Sequence, residues 1–264
     1  MDPILSVNSG QLNLWVVTFL WPFVRMLSLI GTAPVLSEAV VPRSVKLLLA
    51  LLLAMVITPT LAPVPAIPMM SAAGVWVLVQ QILIGAAMGF SMRLVFAAVQ
   101  AAGEYVGLQM GLSFAAFFDP TSGGNTMVLS RLLNVMAVLI FLATDMHLLM
   151  IRTLAESFQT LPISDAPLAS GGWAFLVVAG GQVITDGLML ALPLIASLLS
   201  LNLAMGILNR VSPQFSIFSV GFPITLLAGL GMLQYLMQYM GPFLEPRFAA
   251  SLELVPQFLQ GIRR

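Results

Sequence analysis

The sequence has no cysteine and a single histidine, His147. Disulfides, thiolate nucleophiles and cysteine-ligated metals are therefore excluded, and a histidine-based metal cluster has nothing to form from. Charge is almost as scarce. Ten basic and ten acidic side chains serve 264 residues, 8% of the chain, where a soluble domain carries about 25%. So few charges cannot cover a globule of this length with a solvated surface, which rules out a freely soluble monomer. They also cancel to a net charge of +0, so the basic footprint of a nucleic-acid binder is missing. No catalytic, metal or cofactor constellation stands out, and an enzyme is not expected.

Hydrophobic residues fill the space instead, at 59% of the chain. A spanning helix needs about 20 mostly apolar residues to cross roughly 30 Å of hydrocarbon, and its backbone must satisfy its own hydrogen bonds there. Residues 47–92, 187–209 and 211–244 hold no Asp, Glu, Lys or Arg. Leu, Ala and Met dominate and strand-like alternation is absent, which favours helices. The expected fold class is an all-α membrane protein, with the lipid bilayer as one partner. The start, Met1-Asp2-Pro3, shows no basic n-region or cleavage site and is not expected to be a signal peptide.

Six helical segments are expected, over 11–31, 44–58, 71–109, 128–157, 172–208 and 216–242. Breakers separate them: Pro34 and Pro42, then Pro59, Pro63, Pro65 and Pro68, then Asp119-Pro120 with Gly123-Gly124, then Pro162 and Pro167, then Pro213. The tail 243–264 is expected to be an amphipathic or frayed end. Segments 71–109 and 172–208 have 39 and 37 residues, about 58 and 55 Å at 1.5 Å per residue. Either they break, with Gly103 and Pro193 as candidate sites, or they project beyond the bilayer against protein partners. Six crossings would put both termini on one side. Arg43, Lys46, Arg93, Arg131 and Arg210 fall on the other, against Arg152 and the tail arginines. With the tail set aside, the positive-inside rule places the termini outside the cytoplasm.

Charged residues within apolar segments are costly and carry a functional hypothesis by default. Here they are Arg25, Glu104, Asp145 and Asp186. Either each pairs or snorkels within an assembly, or they relay protons or ions. Arg152 and Glu156 have the i, i+4 spacing of a local pair. Glycines also recur at intervals of four, at Gly85 and Gly89 and again at Gly103, Gly107 and Gly111. On a helix this lines one face with missing side chains and admits a neighbouring backbone. Packing is the expected use and hinging the alternative, with hinge character favoured at Gly111, where the series runs into a loop.

That loop, residues 107–125, is the most informative stretch. Met110, Leu112, Phe114, Phe117 and Phe118 make its first part apolar, and Asp119-Pro120 then turns it into a small, polar run. A loop this apolar must be buried in a protein core or a pore. It is either a re-entrant core loop or a hydrophobic plug that excludes water and ions, with Met supplying a deformable seal. Elsewhere, Arg43 and Lys46 open a helix where the dipole disfavours cations. Topology or a partner's acidic groups would explain them. Arg210 closes a segment, where helix capping alone accounts for it.

Several stretches, taken together, resemble the FliR family of flagellar export-gate proteins and its relatives in type III secretion injectisomes. They are Ala33-Pro-Val-Leu-Ser-Glu38, Gln80-Gln-Ile-Leu-Ile-Gly85, Ala102-Gly-Glu-Tyr-Val-Gly-Leu-Gln-Met-Gly111, Phe118-Asp-Pro120, Leu188-Met-Leu-Ala-Leu-Pro193 and Asn202 through Pro223, in order over nearly the whole chain. The resemblance implies a structural subunit, one export-gate subunit over 1–264, that joins FliP-like and FliQ-like subunits in a helical, closed-topped gate. It implies a FliP-like part over 1–170, including a plug loop at 107–127, and a FliQ-like hairpin and tail over 171–264. The plug would comprise Gly107, Met110, Gly111, Leu112, Phe114, Phe117 and Phe118, with its turn at Asp119 and Pro120. Asn209, Arg210, Pro213 and Gln214 would lie at the cytoplasmic entrance near an FlhB-like protein. Further implied partners are an FlhA-like export component, the basal-body rod or ring, and unfolded flagellar proteins as cargo. The implied location is the bacterial inner membrane within the flagellar basal body. Two other classes remain in view. One is a self-contained secondary transporter using Glu104, Asp145 or Asp186; the other is an intramembrane protease, for which the one histidine has no recognisable serine partner.

Overall fold

The structure, a computed structural model, describes residues 9–63, 65, 67–112, 128–212 and 221–263. Every regular element among them is helical: α1 (Ser9–Thr32), α2 (Arg43–Ile57) continued by a 3₁₀ turn (Thr58–Thr60), α3 (Ala72–Gln109), α4 (Val128–Ala143), α5 (Met146–Thr160), α6 (Trp173–Val211) and α7 (Phe222–Arg263).

Two features depart from the expected segments, and one alternative left open is decided. The fourth segment is two helices, α4 and α5. The Thr144 hydroxyl donates back to the Ile140 carbonyl at 2.8 Å, and Asp145 then takes φ 56°, a left-handed turn that Asp tolerates better than most residues. Of the two alternatives for the long segments the structure shows unbroken helices, since the candidate break sites Gly103 and Pro193 both lie inside continuous helices. Gly103 admits a neighbouring helix instead, and an apolar helix absorbs a proline's lost hydrogen bond by local adjustment and neighbouring groups. The tail, finally, is not frayed. α7 runs for 42 residues to Arg263, because Leu244, Phe248, Leu252, Val255, Leu259 and Ile262 recur every three or four positions and all are buried.

Among the described residues three stretches are long and apolar enough to cross a bilayer: Arg43–Thr60, Ala72–Gln109 and Trp173–Val211. α4 and α5 make a fourth if they are counted as one span.

The chain forms two compact units. One holds Met1–Arg93, His147–Val178 and Ala250–Arg264; the other holds Leu94–Met146 and Ala179–Ala249. α3, α6 and α7 each give a stretch to both.

In the first unit, α1 lies against the 72–93 stretch of α3 where the glycines are. A Cβ on Gly85 would meet the Arg25 carbonyl and sit 2.9 Å from Ser28 Cβ; one on Gly89 would sit 2.8 Å from the Ala33 nitrogen. Ser28 uses the proximity to donate its hydroxyl to the Ile82 carbonyl at 2.6 Å. α1 closes into a tight turn in which the Leu36 N–H donates to the Pro34 carbonyl at 2.7 Å. Val35, at its centre, has φ 67°, a strained γ-turn geometry for a β-branched residue. Lys46 holds this turn, donating to the carbonyls of Ser37 at 2.9 Å and Glu38 at 3.0 Å. Lys46 thus finds acceptors in the chain's own backbone carbonyls. The end of α7 fastens the loop before α6: the Ala169 N–H donates to the Ile262 carbonyl at 2.9 Å, and Arg263 reaches the Thr160 carbonyl at 3.1 Å.

In the second unit, Phe96, Phe141 and Phe248 form an aromatic cluster with ring centroids 5.4 to 5.6 Å apart. Three glycine contacts gather around the 94–109 stretch of α3. Gly103 accepts Ser130 of α4, Gly187 of α6 accepts the Ala98 carbonyl, and Gly229 of α7 accepts the Met110 side chain.

Both units leave large apolar side chains uncovered. They include Val45, Leu48, Leu52 and Val56 on α2 and Leu192, Leu199, Leu203 and Ile207 on α6. Water rejects such a surface, so lipid or other chains must cover it.

Candidate functional site

The candidate plug begins where α3 ends, and the ending is a defined cap. The Leu112 N–H donates to the Gly107 carbonyl at 3.0 Å and the Gly111 N–H to the Leu108 carbonyl at 3.0 Å. Gly111 has φ 79°. This is a Schellman motif, with glycine at the left-handed position that satisfies the last carbonyls and turns the chain out of the helix. Gly107 is buried in the final turn. Met110 is buried too, its side chain filling the space that a Cβ on Gly229 would take, 2.6 Å from Met110 Cγ and Cε. Leu112 is half-buried. The end of α3 is thus anchored on one side of Gly111, and the chain departs on the other. Phe114, Phe117, Phe118, Asp119 and Pro120 lie outside the described residues.

The cap makes Gly111 testable. An L-residue at a left-handed position costs roughly 1–2 kcal/mol, and Asn less than most. Export through assembled complexes is expected to fall in the order Gly111, Gly111→Asn, Gly111→Ala, Gly111→Val, with co-purification of the assembly checking that the complex still forms. Equal export by the Asn and Val variants would show that the left-handed turn is not what matters.

The four charges within apolar segments have different fates. Arg25 is fully buried. It donates from Nε to Gln81 Oε1 at 2.7 Å, from Nη1 to Ser157 Oγ at 3.1 Å and from Nη2 to the Leu161 carbonyl at 3.1 Å. Its guanidinium also lies 4.2 Å from the centroid of the Phe158 ring. Asp186 pairs with Arg247 at 3.4 Å, and that guanidinium stacks on Phe243 at 3.7 Å. Glu104 and Asp145 are exposed, and among the described residues neither has an ion pair. The i, i+4 pair Arg152–Glu156 forms at 2.8 Å on an exposed face.

At the other candidate site, Asn209 is half-buried and Arg210 exposed in the last turn of α6, where a cation suits the helix dipole. Pro213 and Gln214 lie outside the described residues. No cluster of three or more metal-ligating side chains exists among the described residues.

Some contributors carried little signal. Gln81 and Ser157 are neutral and distant in sequence from Arg25. Gly187 and Gly229 stand outside any four-residue glycine series. Arg247 sits beyond the last expected helix, and only continuation of the apolar stripe past Pro242 would have pointed to it.

An apolar chain whose described elements are all helical, some of bilayer length, with an uncovered surface that asks for lipid or further chains, is a membrane protein. The family described as bacterial export proteins, family 1, matches residues 16–251. A flagellar biosynthetic protein FliR of Pectobacterium carotovorum subsp. carotovorum is 51% identical over 256 residues, covering 97% of this chain and 98% of that protein. The FliR of Escherichia coli (strain K12) is 48% identical over 256 residues, with the same coverage of 97% and 98%. That of Bacillus subtilis (strain 168) is 26% identical over 244 residues, 91% of this chain and 94% of its own length. The chain belongs to bacterial export proteins, family 1, as a FliR-type component of flagellar biosynthesis and export.

Proposed function

We propose that the chain is a non-catalytic subunit of the flagellar protein export gate in the bacterial inner membrane, and that the segment following Gly111 is its hydrophobic plug. The observation that carries the reading is the capped end of α3. A glycine turn anchored by buried Met110 delivers the chain into a run containing Phe114, Phe117 and Phe118. Met110 and Gly111 then serve as anchor and turn, and the seal falls to the phenylalanines beyond. The uncovered apolar faces of α2 and α6 support assembly with FliP-like and FliQ-like subunits, with 1–170 as the FliP-like part and α6 and α7 as the FliQ-like hairpin. In the same reading Asn209 and Arg210 border the cytoplasmic entrance beside an FlhB-like protein, and unfolded flagellar proteins pass through. The transporter alternative loses one of its candidate carboxylates, because Asp186 is already paired with Arg247.

The test is electrical. Gates carrying Phe114→Ala with Phe117→Ala, reconstituted with their sister subunits, are expected to leak ions several-fold faster than the unaltered gate, because smaller side chains no longer exclude water. A gate that stays equally tight would overturn the plug assignment.

A further inference from the structure

Four polar side chains share one edge of the second unit. On α3, Gln100 and Glu104 stand one turn apart and both are exposed; on α4, Arg131 is exposed and Asn134 half-buried. The helices are locked together beside them. Gln100 Nε2 donates to Asn134 Oδ1 at 3.2 Å, and Ser130 Oγ donates to the Gln100 carbonyl at 3.0 Å. Gly103 removes the side chain that would hold Ser130 away: a Cβ there would lie 2.7 Å from the Ser130 nitrogen. Next to this seam α4 turns a purely apolar exposed face, with Val135, Leu139 and Leu142. Arg131 and Val135 are one turn apart, so the polar seam and the apolar stripe adjoin along one exposed flank of α4.

Three environments could cover the seam, and their costs differ. Facing hydrocarbon, Glu104 and Arg131 would each carry the cost of an ionised side chain at bilayer depth. The stretch that carries Glu104, Ala72–Gln109, is one of those apolar enough to cross a membrane. Under a protein neighbour, each charge would need an opposite charge supplied at the right place, since an unpaired buried charge is strongly destabilising. Water solvates the two charges and two amides with no such requirement. Gln100 and Glu104 also belong to the last turns of α3, and Arg131 and Asn134 to the first turns of α4, so the seam flanks both ends of the chain segment that joins the two helices.

We propose that the Gln100–Glu104–Arg131–Asn134 seam faces the aqueous passage of the assembled gate. It offers a polypeptide in transit both signs of charge and two amides, a lining that favours no particular sequence. The inference rests on the gate reading above.

The chain's lack of cysteine makes the test clean, because one introduced thiol is the sole thiol of this subunit. Full-length Gln100→Cys, Glu104→Cys and Arg131→Cys, with Val135→Cys and Leu142→Cys for comparison, are assembled with cysteine-free sister subunits in membrane vesicles. They are then treated from both sides with a charged, membrane-impermeant methanethiosulfonate and, separately, with a lipophilic maleimide. Seam positions are expected to react with the charged reagent several-fold faster than Val135→Cys and Leu142→Cys. Reaction with the lipophilic reagent alone would place the seam in lipid, and silence to both would place it under a neighbouring subunit; either overturns the proposal. Gln100→Cys removes no charge and carries the test if the other two fail to co-purify with the assembly. An unreactive seam in a gate whose Phe114 and Phe117 variant leaks would overturn the seam alone. A reactive seam in a gate that this variant leaves tight would overturn the plug alone.

Discussion

Replacing Arg25 by alanine is expected to stop the chain accumulating in the membrane. The guanidinium joins three segments far apart in sequence: α1 through its own backbone, α3 through Gln81, and the end of α5 through Ser157 and the Leu161 carbonyl. Hydrogen bonds to a charged group contribute about 1.5–3 kcal/mol each. Three such bonds, plus the void left by a large buried side chain, are comparable to the whole 5–15 kcal/mol by which a typical domain is stable. One term opposes this. Burying a cation among neutral acceptors carries a desolvation penalty of several kcal/mol, and removing the charge removes it. Arg25→Met, similar in reach and uncharged, should therefore recover part of what Arg25→Ala loses. Arg25→Lys should recover less, because a single ammonium cannot span the diverging acceptors that a planar fork reaches. The expected order of membrane accumulation, and of thermal midpoint in detergent, is Arg, Met, Lys, Ala. A lysine variant as stable as the unaltered chain would mean that charge alone, not the fork, is required. Gln81→Leu provides a second probe, since it strips the shortest of the three bonds while leaving the cation in place.

Much of this fold can be read from the sequence, and the failures have identifiable causes. The extents of α1, α2, α3 and α6 follow from apolar runs bounded by proline and glycine clusters. The break between α4 and α5 was invisible because Thr144-Asp145 contains neither glycine nor proline. At Asp145 a short polar side chain occupies a left-handed turn, a use that a charge within an apolar segment does not announce. α7 shows the opposite error: the last segment was expected to end at 242, while the stripe of buried residues from Leu244 to Ile262 carries the helix on through Pro246 and Pro256. In α6, Pro193 was a candidate break, and the helix runs through it.

The candidate site was legible in kind more than in detail. Glycine spacing marked α3 as a helix that others approach closely, yet each partner had to come from the fold, since Gly187 and Gly229 carry no pattern of their own. Gly111 was marked as the last of a glycine series running into a loop, but a left-handed cap is a property of backbone geometry. Arg25 stood out as a charge in an apolar helix. Its acceptors, 56 to 136 residues away and uncharged, gave nothing for a charge pattern to find.

Enlarging Gly85 or Gly89 is expected to part α1 from α3, with consequences that reach Arg25. The atoms that an added Cβ would strike are mostly backbone. At Gly85 they include the Arg25 carbonyl and, at 3.1 Å, the Leu29 nitrogen; at Gly89 they include the Ala33 nitrogen at 2.8 Å and the Leu29 carbonyl at 2.9 Å. Backbone cannot rotate out of the way as a side chain can, so one helix must move as a body. Overpacking a well-filled site typically costs 1–3 kcal/mol, and Gly85→Leu should lie at or above the upper end of that range. Gln81, Gly85 and Gly89 are spaced by four, so displacing α1 at Gly85 also stretches the 2.7 Å bond from Arg25 to Gln81 one turn away. The two sites should therefore be coupled. In Gly85→Ala combined with Arg25→Met, the loss is expected to fall short of the sum of the single losses by about 0.5–3 kcal/mol, the range for residues sharing a network. Gly180→Ala is the control. Nothing lies within 4 Å of a Cβ there, so the substitution should raise stability by up to about 1 kcal/mol through helix propensity alone. Thermal unfolding of the detergent-solubilised chain reads all of these together. Opposite shifts at Gly85 and Gly180 are required, and a common shift would show that glycine at Gly85 serves the helix's flexibility rather than the approach of its neighbour.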